Sequence, residues 1–252
     1  MIFDILITAA KKDFNKLPFV LSGIERNIRG YNNIHIISNH PVPDEYLVNG
    51  IIQYRDHEAL DYDFLGIDME NRRGWYRQQF IKLLQTTTTD DYLVIDADVY
   101  INKPMKINTG NPSFYLGRDQ YHMPYFQCFD RICGLKRSYD HSFICEIMFF
   151  KRDIINMILE EIGLDRYDFL NRCVEMINKV NNGSGFSEYE FYGNYVTSRW
   201  PGAYQYKKIK VLHNKKYRKW YDEEIRQYVE NNSHSDYDIL TMHSWYDDNS
   251  VS

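Results

Sequence analysis

The sequence predicts an α/β fold in a single domain, with a mostly parallel, Rossmann-like sheet flanked by helices. In the first hundred residues, short apolar runs of strand length alternate with segments whose apolar residues recur at helical spacing. The run at residues 92–96 has Leu-Val-Ile at its centre, as expected of a strand that is buried on both faces. At 252 residues the chain is long enough for one large domain, and no Pro-, Gly- or Ser-rich linker divides it.

The first half contains two helical patterns between four strands. The first helix is predicted to start at a cap, Asp13, and to end at Gly30, and the second is predicted over residues 74–85. The strands of this half are predicted at residues 3–9, 34–38, 51–55 and 92–96. The second half is more mixed, with predicted strands at residues 113–117 and 143–150, helices at 153–161 and 166–180, and a flexible segment at 181–185.

The charge and composition argue against several classes of protein. The chain has 30 Lys and Arg against 35 Asp and Glu, and its net charge of −5 argues against a nucleic-acid-binding protein. No run of about 18 apolar residues is present, so no transmembrane segment is predicted. The N-terminus lacks the basic region of a signal peptide, which favours a cytoplasmic location. The four cysteines have no zinc-binding spacing and are expected to be free thiols.

The chain is rich in aromatic residues, since 14 Phe, 22 Tyr and 4 Trp make up 16% of it. Tyr and Trp combine a flat apolar face with one polar tip, which suits stacking on sugars or bases. The codon usage of an AT-rich genome would give the same excess, so both explanations stay open.

The most informative segment is Asp96-Ala97-Asp98, which directly follows the apolar run of the fourth predicted strand. Just past a strand, the backbone can turn so that both carboxylates face one point. Mg²⁺ and Mn²⁺ prefer oxygen ligands and commonly share their coordination shell with substrate phosphates. Such an ion would bridge a diphosphate and neutralise the charge on a departing nucleotide. An ordinary turn after a buried strand is the alternative, because Asp is common in turns.

Together with the Val-x-Ile-x-Lys-Pro that follows, this segment resembles the signature of GT-A glycosyltransferases, in which Asp-x-Asp follows the fourth core strand. The resemblance covers nearly the whole chain and implies the transfer of a sugar from a nucleotide-diphosphate sugar to a hydroxyl of a glycan or another acceptor. It implies Mn²⁺ or Mg²⁺ held by Asp96, Asp98 and His243, with Asp98 also catalytic. It also implies a nucleotide-sugar-binding half, residues 1–105, and an acceptor-side half, residues 106–252.

The predicted helix at residues 74–85 is similar to a donor-binding helix of these enzymes. Gln78 and Lys82 are four residues apart and therefore share a helix face. Lys82 would meet a phosphate and Gln78 a ribose or sugar hydroxyl, while Trp75 would stack on the donor. A solvated helix face, with Trp75 only packing against the helix, is the alternative.

Glu188 and Glu190 lie in a segment that resembles the acidic helix start of inverting members. On a helix, two residues at this spacing point about 200° apart, so only one is expected to face the cleft. Glu188 is the first choice for the general base that takes the proton of the acceptor hydroxyl. A solvated acid favoured by the helix dipole is the alternative, and a reaction with retention would need no such base.

Other residues are predicted to complete the donor and metal sites. Small side chains at the end of the first strand would let the backbone approach a nucleotide closely, and many relatives keep a glycine where this chain has Glu146. Residues 240–245 are similar to the late strand that ends in a metal-ligating histidine, His243. The remaining predicted donor contacts are Thr8, Ala9, Ala10 and Lys11 after the first strand, Ala97 between the two carboxylates, and Glu146 in the strand predicted at 143–150.

Two other functions fit part of the pattern. In phosphohydrolases of the haloacid dehalogenase kind a strand also ends in Asp-x-Asp, and the first Asp, here Asp96, is the nucleophile. That family places the motif near its N-terminus, whereas 95 residues precede Asp96. A non-catalytic sugar-binding module is the other alternative. The sequence favours a glycosyltransferase of polysaccharide biosynthesis and leaves open whether the chain belongs to a larger glycan-synthesis enzyme or assembly.

Overall fold

A computed structural model of the chain describes residues 2–47, 50–88, 91–117, 119–180 and 184–244. The strands are β1 (Phe3–Thr8), β2 (Tyr31–Ser38), β3 (Ile51–Arg55), β4 (Asp91–Ile95), β5 (Val99–Ile101), β6 (Ser113–Leu116), β7 (Ile147–Lys151), β8 (Gln205–Lys208), β9 (Val211–Leu212), β10 (Lys215–Lys216), β11 (Ile239–Thr241) and β12 (His243–Ser244). The α-helices are α1 (Leu17–Asn27), α2 (Asp56–Ala59), α3 (Arg73–Leu84), α4 (Met123–Cys133), α5 (Arg152–Glu161), α6 (Arg166–Val180), α7 (Glu188–Arg199) and α8 (Asp222–Asn232). Short 3₁₀ helices lie at Lys11–Lys16, Asp44–Tyr46, Phe64–Gly66 and Glu70–Arg72.

The central sheet has five strands in the order β3-β2-β1-β4-β7. The first four in chain order run parallel, and β7 runs antiparallel to β4 with Ile147 opposite Ile95. The predicted, mostly parallel α/β sheet is therefore confirmed. Because β1 to β4 are parallel, their carboxyl ends lie at one edge of the sheet, and β7 begins at that same edge.

The central strands are held by burial on both faces. Every residue of β1 and of β4 is buried, as the apolar composition of these runs predicts. Helix α3 packs against β1 and α7, and α5 packs against β7 and α7. Each large apolar side chain buried in this way contributes about 1.5–3 kcal/mol to the stability of the fold. None of the helices in the described ranges has the length and apolar character needed to cross a membrane.

Part of the aromatic excess lies in the core. The hydroxyl groups of Tyr192 and Tyr204 are 2.7 Å apart, and Tyr204 donates to the carbonyl of Phe149 at 3.0 Å. Tyr192 also accepts the backbone N–H of Lys151 at 3.1 Å. Buried tyrosines with satisfied hydroxyl groups thus tie α7 to β7.

Several element boundaries differ from the sequence predictions: β2 begins at Tyr31, the first helix ends at Asn27, and two further differences involve Asp13 and Glu146. Asp13 does not cap a helix; it lies in the 3₁₀ helix Lys11–Lys16 and pairs with Lys16 at 2.6 Å, and α1 begins only at Leu17. The strand predicted at residues 143–150 is shorter, because Glu146 has φ 57 and this left-handed conformation interrupts extended backbone. Residues 181–183 of the predicted flexible segment lie outside the described residues.

Candidate active site

The predicted site residues converge on the carboxyl edge of the parallel strands. Asp96 directly follows β4, Thr8 ends β1, and Glu146 directly precedes β7. The backbone N–H of Asp96 donates to the carbonyl of Glu146 at 3.0 Å. Ligands of open α/β sheets bind at this edge, so the geometry agrees with a functional site here.

Lys82 connects two of the predicted acids in the interior. Its Nζ lies 2.7 Å from Oδ1 of Asp96 and 3.0 Å from Oε1 of Glu188. The hydroxyl of Tyr189 donates to the same Asp96 oxygen at 2.8 Å. Burial works against the charge of Lys82, but Asp96 and Glu188 outweigh it and hold its pKa above the usual range. Lys82 therefore does not lie on a solvated helix face; its charge is directed into the site.

Glu188 begins α7 and is almost fully buried. With its amide nitrogen turned toward the two acceptors, Gln79 donates to Oε2 of Glu188 at 3.0 Å and to the carbonyl of Phe186 at 2.8 Å. Burial raises the pKa of Glu188, Lys82 counteracts part of this increase, and the negative charge of Asp96 adds to it. A carboxylate with a raised pKa accepts a proton more readily than an ordinary, exposed carboxylate.

Glu190 is turned away from this network. Its Oε1 accepts a hydrogen bond from the Ser142 hydroxyl at 2.6 Å, and its Oε2 accepts one from the Asn194 amide at 3.0 Å. Burial raises the pKa of Glu190, and Ser142 counteracts it. The two glutamates thus point in different directions, as their spacing on a helix requires. Glu190 ties α7 to the segment before β7.

Asp98 and His243 form the second polar contact of the site. His243 Nδ1 lies 2.9 Å from Oδ2 of Asp98, and His243 Nε2 lies 3.8 Å from Oε1 of Glu146. Burial alone would raise the pKa of Asp98, but His243, Lys16 and Lys82 outweigh it and hold that pKa well below its usual range. Burial alone would lower the pKa of His243, but Asp98 and Glu146 raise it above its usual value.

The donor atoms for a cation lie around His243. Among the residues that the structure describes, the set whose ligand atoms converge is Glu146, His213 and His243, with all three atoms within 4.8 Å of one another. Of the two aspartates, Asp98 contacts a member of this set, His243, whereas Asp96 contacts Lys82 and Tyr189. Sequence reasoning missed His213. The sequence pattern that could have indicated His213 is that it directly follows a short apolar run, as His243 does.

The residues predicted to contact the donor at the end of β1 lie at the carboxyl edge of the central sheet but make few polar contacts. Thr8 and Ala9 are buried, Ala10 is half-buried and Lys11 is exposed. The backbone N–H of Ala9 donates to the carbonyl of Ile37 at 2.9 Å, which joins the ends of β1 and β2. Small side chains therefore form the end of β1, where a ligand could approach the backbone closely.

The other predicted residues of α3 lie outside the acidic network. Trp75 is half-buried, its ring centroid is 4.9 Å from that of Tyr76, and the Arg72 guanidinium lies over it. Gln78 is half-buried, whereas its neighbour Gln79, which sequence reasoning missed, is buried against Glu188. Ala97, between the two aspartates, is buried.

The structure is similar to solved glycosyltransferases. No protein-family model matches the sequence, and neither does any curated protein. Mouse xyloside xylosyltransferase 1 in its apo form matches with a TM-score of 0.52 and 9% identity over 96% of this chain and 98% of that chain. The chain has the GT-A fold. The galactosyltransferase LgtC in complex with donor and acceptor sugar analogues also matches, with a TM-score of 0.46 and 12% identity over 81% of this chain and 73% of that chain.

The Asp-x-Asp segment lies at the carboxyl edge of the central sheet. Asp96 and Asp98 follow β4, the fourth strand of the central sheet in chain order. His243 lies beside Asp98 because β11 pairs antiparallel with β5 and the N–H of Met242 donates to the carbonyl of Asp98 at 2.8 Å. The late strand thus places His243 next to Asp98, which lies more than 140 residues earlier in the sequence.

Proposed function

We propose that the chain is a glycosyltransferase that moves a sugar from a nucleotide-diphosphate sugar to a hydroxyl of a glycan or another acceptor in polysaccharide biosynthesis. The GT-A fold supports this proposal. The observation that carries it is the Asp96–Lys82–Glu188 network at the carboxyl edge of the sheet, in which Lys82 and Glu188 are buried and Asp96 is half-buried. The network combines a fixed cation, suited to a diphosphate, with an acid whose pKa is raised, suited to accepting a proton.

The same edge has room for a nucleoside. A cleft of about 330 Å³ lies at the carboxyl ends of β2 and β3, which is within the size range of small-molecule sites. In our proposal the nucleoside lies between this cleft and the small residues that end β1, and the diphosphate points toward Lys82. The cleft is lined by Asn39, Arg55, Asp56, His57, Leu60, Tyr62 and Arg77.

In the proposed reaction, Glu188 acts as the general base. A carboxylate oxygen of Glu188 accepts the proton of the acceptor hydroxyl while the oxygen of that hydroxyl forms a bond to the anomeric carbon of the donor sugar. The bond between the anomeric carbon and the diphosphate oxygen breaks, and its electron pair stays on the diphosphate. The Lys82 ammonium stabilises this negative charge. Attack from the face opposite the leaving group would invert the configuration.

The donor set around His243 fits a divalent cation. Carboxylate and imidazole groups are ligands of such ions, and Asp98, Glu146 and His243 meet at this corner of the site. A bound Mn²⁺ or Mg²⁺ would neutralise charge on the diphosphate.

A ligand panel tests the proposed function. The purified chain is melted with UDP-, GDP- and CMP-sugars, each with and without Mn²⁺, and release of the nucleotide product is followed for every donor. We expect one nucleotide class to raise the Tm, because a ligand at about 100 times its Kd adds about 2.7 kcal/mol. No shift and no release across the panel would contradict the proposal. Donor binding without transfer to any acceptor would instead support the sugar-binding alternative.

The phosphohydrolase alternative loses its support in the fold. It required Asp96 as a nucleophile; in the structure Oδ1 of Asp96 contacts Lys82 and Tyr189. The GT-A fold accounts for the strand that leads to Asp-x-Asp without a phospho-aspartate.

A further inference from the structure

The cleft at the carboxyl ends of β2 and β3 contains a carboxylate beside a guanidinium. Asp56 directly follows β3, Arg77 lies on α3, and both line the cleft. Oδ2 of Asp56 is 3.5 Å from Nη1 of Arg77. This distance exceeds the usual range of about 2.7–3.2 Å for an N–H···O hydrogen bond. The two groups therefore keep hydrogen-bonding capacity for a ligand.

Asp56 is largely withdrawn from water although it lines the cleft. Its side chain is 18% exposed, against 35% for that of Arg77. Burial raises the pKa of Asp56, and Arg77 counteracts part of this increase. A carboxylate in such a place has lost hydrogen bonds to water, and the N–H donors of a ligand can replace them. The cleft therefore favours a ligand that brings donors to Asp56.

The Asp56–Arg77 pair presents a donor group next to two acceptor atoms. The guanidinium of Arg77 donates, whereas both oxygens of the ionised Asp56 carboxylate accept. The complementary edge of a base has one acceptor next to two adjacent N–H donors. Guanine has this edge, with O6 beside N1–H and N2–H. Adenine and cytosine have a single donor group on the corresponding edge, and uracil has O2, a further acceptor, where guanine has its amino group.

The same cleft contains an aromatic ring that is held in place. Tyr62 lines the cleft and is half-buried, and its hydroxyl donates to Oδ1 of Asn171 at 2.8 Å. Its ring meets that of Phe64 edge-on, with the centroids 4.9 Å apart. Aromatic rings bind every base by stacking, so Tyr62 would add affinity without choosing the base. The choice is left to the polar pair.

We propose that Asp56 and Arg77 select guanine, so that the donor substrate is a GDP-sugar. The inference rests on the proposed function, because that function places the nucleoside of the donor in this cleft. The two oxygens of Asp56 accept N1–H and N2–H of the base, Arg77 donates to O6, and Tyr62 stacks on the ring. Asp56 and Arg77 are specificity-determining residues and take no part in the transfer reaction itself.

Nucleotide binding by the full chain tests the assignment without any acceptor. Isothermal titration with GDP, UDP and xanthosine diphosphate (XDP), each with Mn²⁺ present, gives three Kd values. XDP is the diagnostic probe, because xanthine has an oxygen in place of the amino group of guanine. We expect the wild type to bind GDP about 10–100-fold more tightly than UDP or XDP, as is typical of one bidentate contact to a base.

Asp56→Asn should change the preference in a predictable direction. The carbonyl oxygen of the new amide accepts N1–H, and its NH₂ group donates to the extra oxygen of xanthine. We therefore expect this variant to bind GDP about 10–100-fold more weakly than the wild type and XDP more tightly than the wild type. A variant that had lost its fold would instead bind both nucleotides more weakly.

Asp61→Asn is the matched control. Asp61 is exposed and does not line the cleft, so Asp61→Asn removes the same charge five residues away and should leave all three Kd values unchanged.

The outcomes separate this assignment from the proposed function. A wild type that prefers UDP, or an Asp56→Asn variant that binds GDP as tightly as the wild type, would overturn the choice of guanine and leave the proposed glycosyltransferase intact. Loss of GDP binding with no gain for XDP would also overturn it, because Asp56 would then support the cleft without reading the base. No binding of any of the three nucleotides would contradict the proposed function, and the assignment with it.

Discussion

Lys82 and Glu188 meet inside the protein, with Nζ of Lys82 3.0 Å from Oε1 of Glu188, and this contact joins α3 to α7. The same ammonium lies 2.7 Å from Asp96. Removing one partner of a buried ion pair leaves an uncompensated charge and costs about 3–5 kcal/mol. The network thus links the stability of the fold to the site, and variants that test the proposed reaction must change the chemistry with little change in shape.

The two glutamates of α7 provide a matched pair. Glu188→Gln keeps the size of the side chain but removes the group that accepts the proton, so we expect turnover to fall about 10²–10⁴-fold. Glu190→Gln changes a side chain that contacts Ser142 and Asn194, so it should lower the Tm and leave turnover nearly unchanged. Initial rates with the donor identified by the ligand panel, together with melting curves, measure both effects. Equal loss of turnover in the two variants would contradict the assignment of Glu188 as the base.

The raised pKa of Glu188 predicts the acidic limb of the pH–rate profile. The base must be deprotonated to act, and burial raises its pKa above the ordinary value of 4.5. Turnover should therefore decrease as the pH falls through a pKa higher than 4.5. Rates at saturating donor across a pH series give this pKa. A limb at or below pH 4.5 would show that another group controls the reaction.

The central sheet could be predicted because its signals are local. The apolar runs of β1, β3 and β4 carry strand length and composition in the sequence itself, and the Asp-x-Asp segment marks the end of β4. The direction of β7 is not visible in this way, since it depends on pairing with β4 and not on the residues of β7 alone.

The parts of the site that were missed depend on tertiary contacts. His213 comes near His243 only through the pairing of β10 with β12, which no local pattern reveals. Gln79 was missed, and Lys82 was predicted as a phosphate contact but not as the partner of Glu188. Both are buried because α7 packs against α3. A helical pattern places a side chain on a face but does not tell which element covers that face.

The Asp98–His243 contact predicts a pH-dependent contribution to stability. The pKa of Asp98 is lowered from 3.8, so its stabilisation is present above that pH and is lost as the pH falls. The pKa of His243 is raised from 6.5, so its stabilisation is present below that pH and is lost as the pH rises through the folded-state pKa. The pair should therefore stabilise the fold most between these values.

Asp98→Asn, melted in EDTA to exclude metal binding, measures this contribution. Relative to the wild type, we expect a loss of about 2 kcal/mol near pH 5.5, since hydrogen bonds to charged groups contribute about 1.5–3 kcal/mol. The loss should shrink as the pH rises through the raised pKa of His243. A difference in Tm that does not change with pH would show that the contact is not an ion pair.

The packing of α7 against the segment before β7 predicts the effect of a single methyl group. A Cβ added at Gly193 would lie 2.2 Å from Cγ of Phe143, a buried ring. Gly193→Ala must therefore displace Phe143, and overpacking of this kind costs about 1–3 kcal/mol. Gly74→Ala is the control, because nothing lies within 4 Å of the added Cβ on α3 and alanine favours the helix. Denaturant unfolding should show that Gly193→Ala is less stable than the wild type. Gly74→Ala should be at least as stable as the wild type. Equal stability of the two variants would mean that α7 does not pack this closely on Phe143.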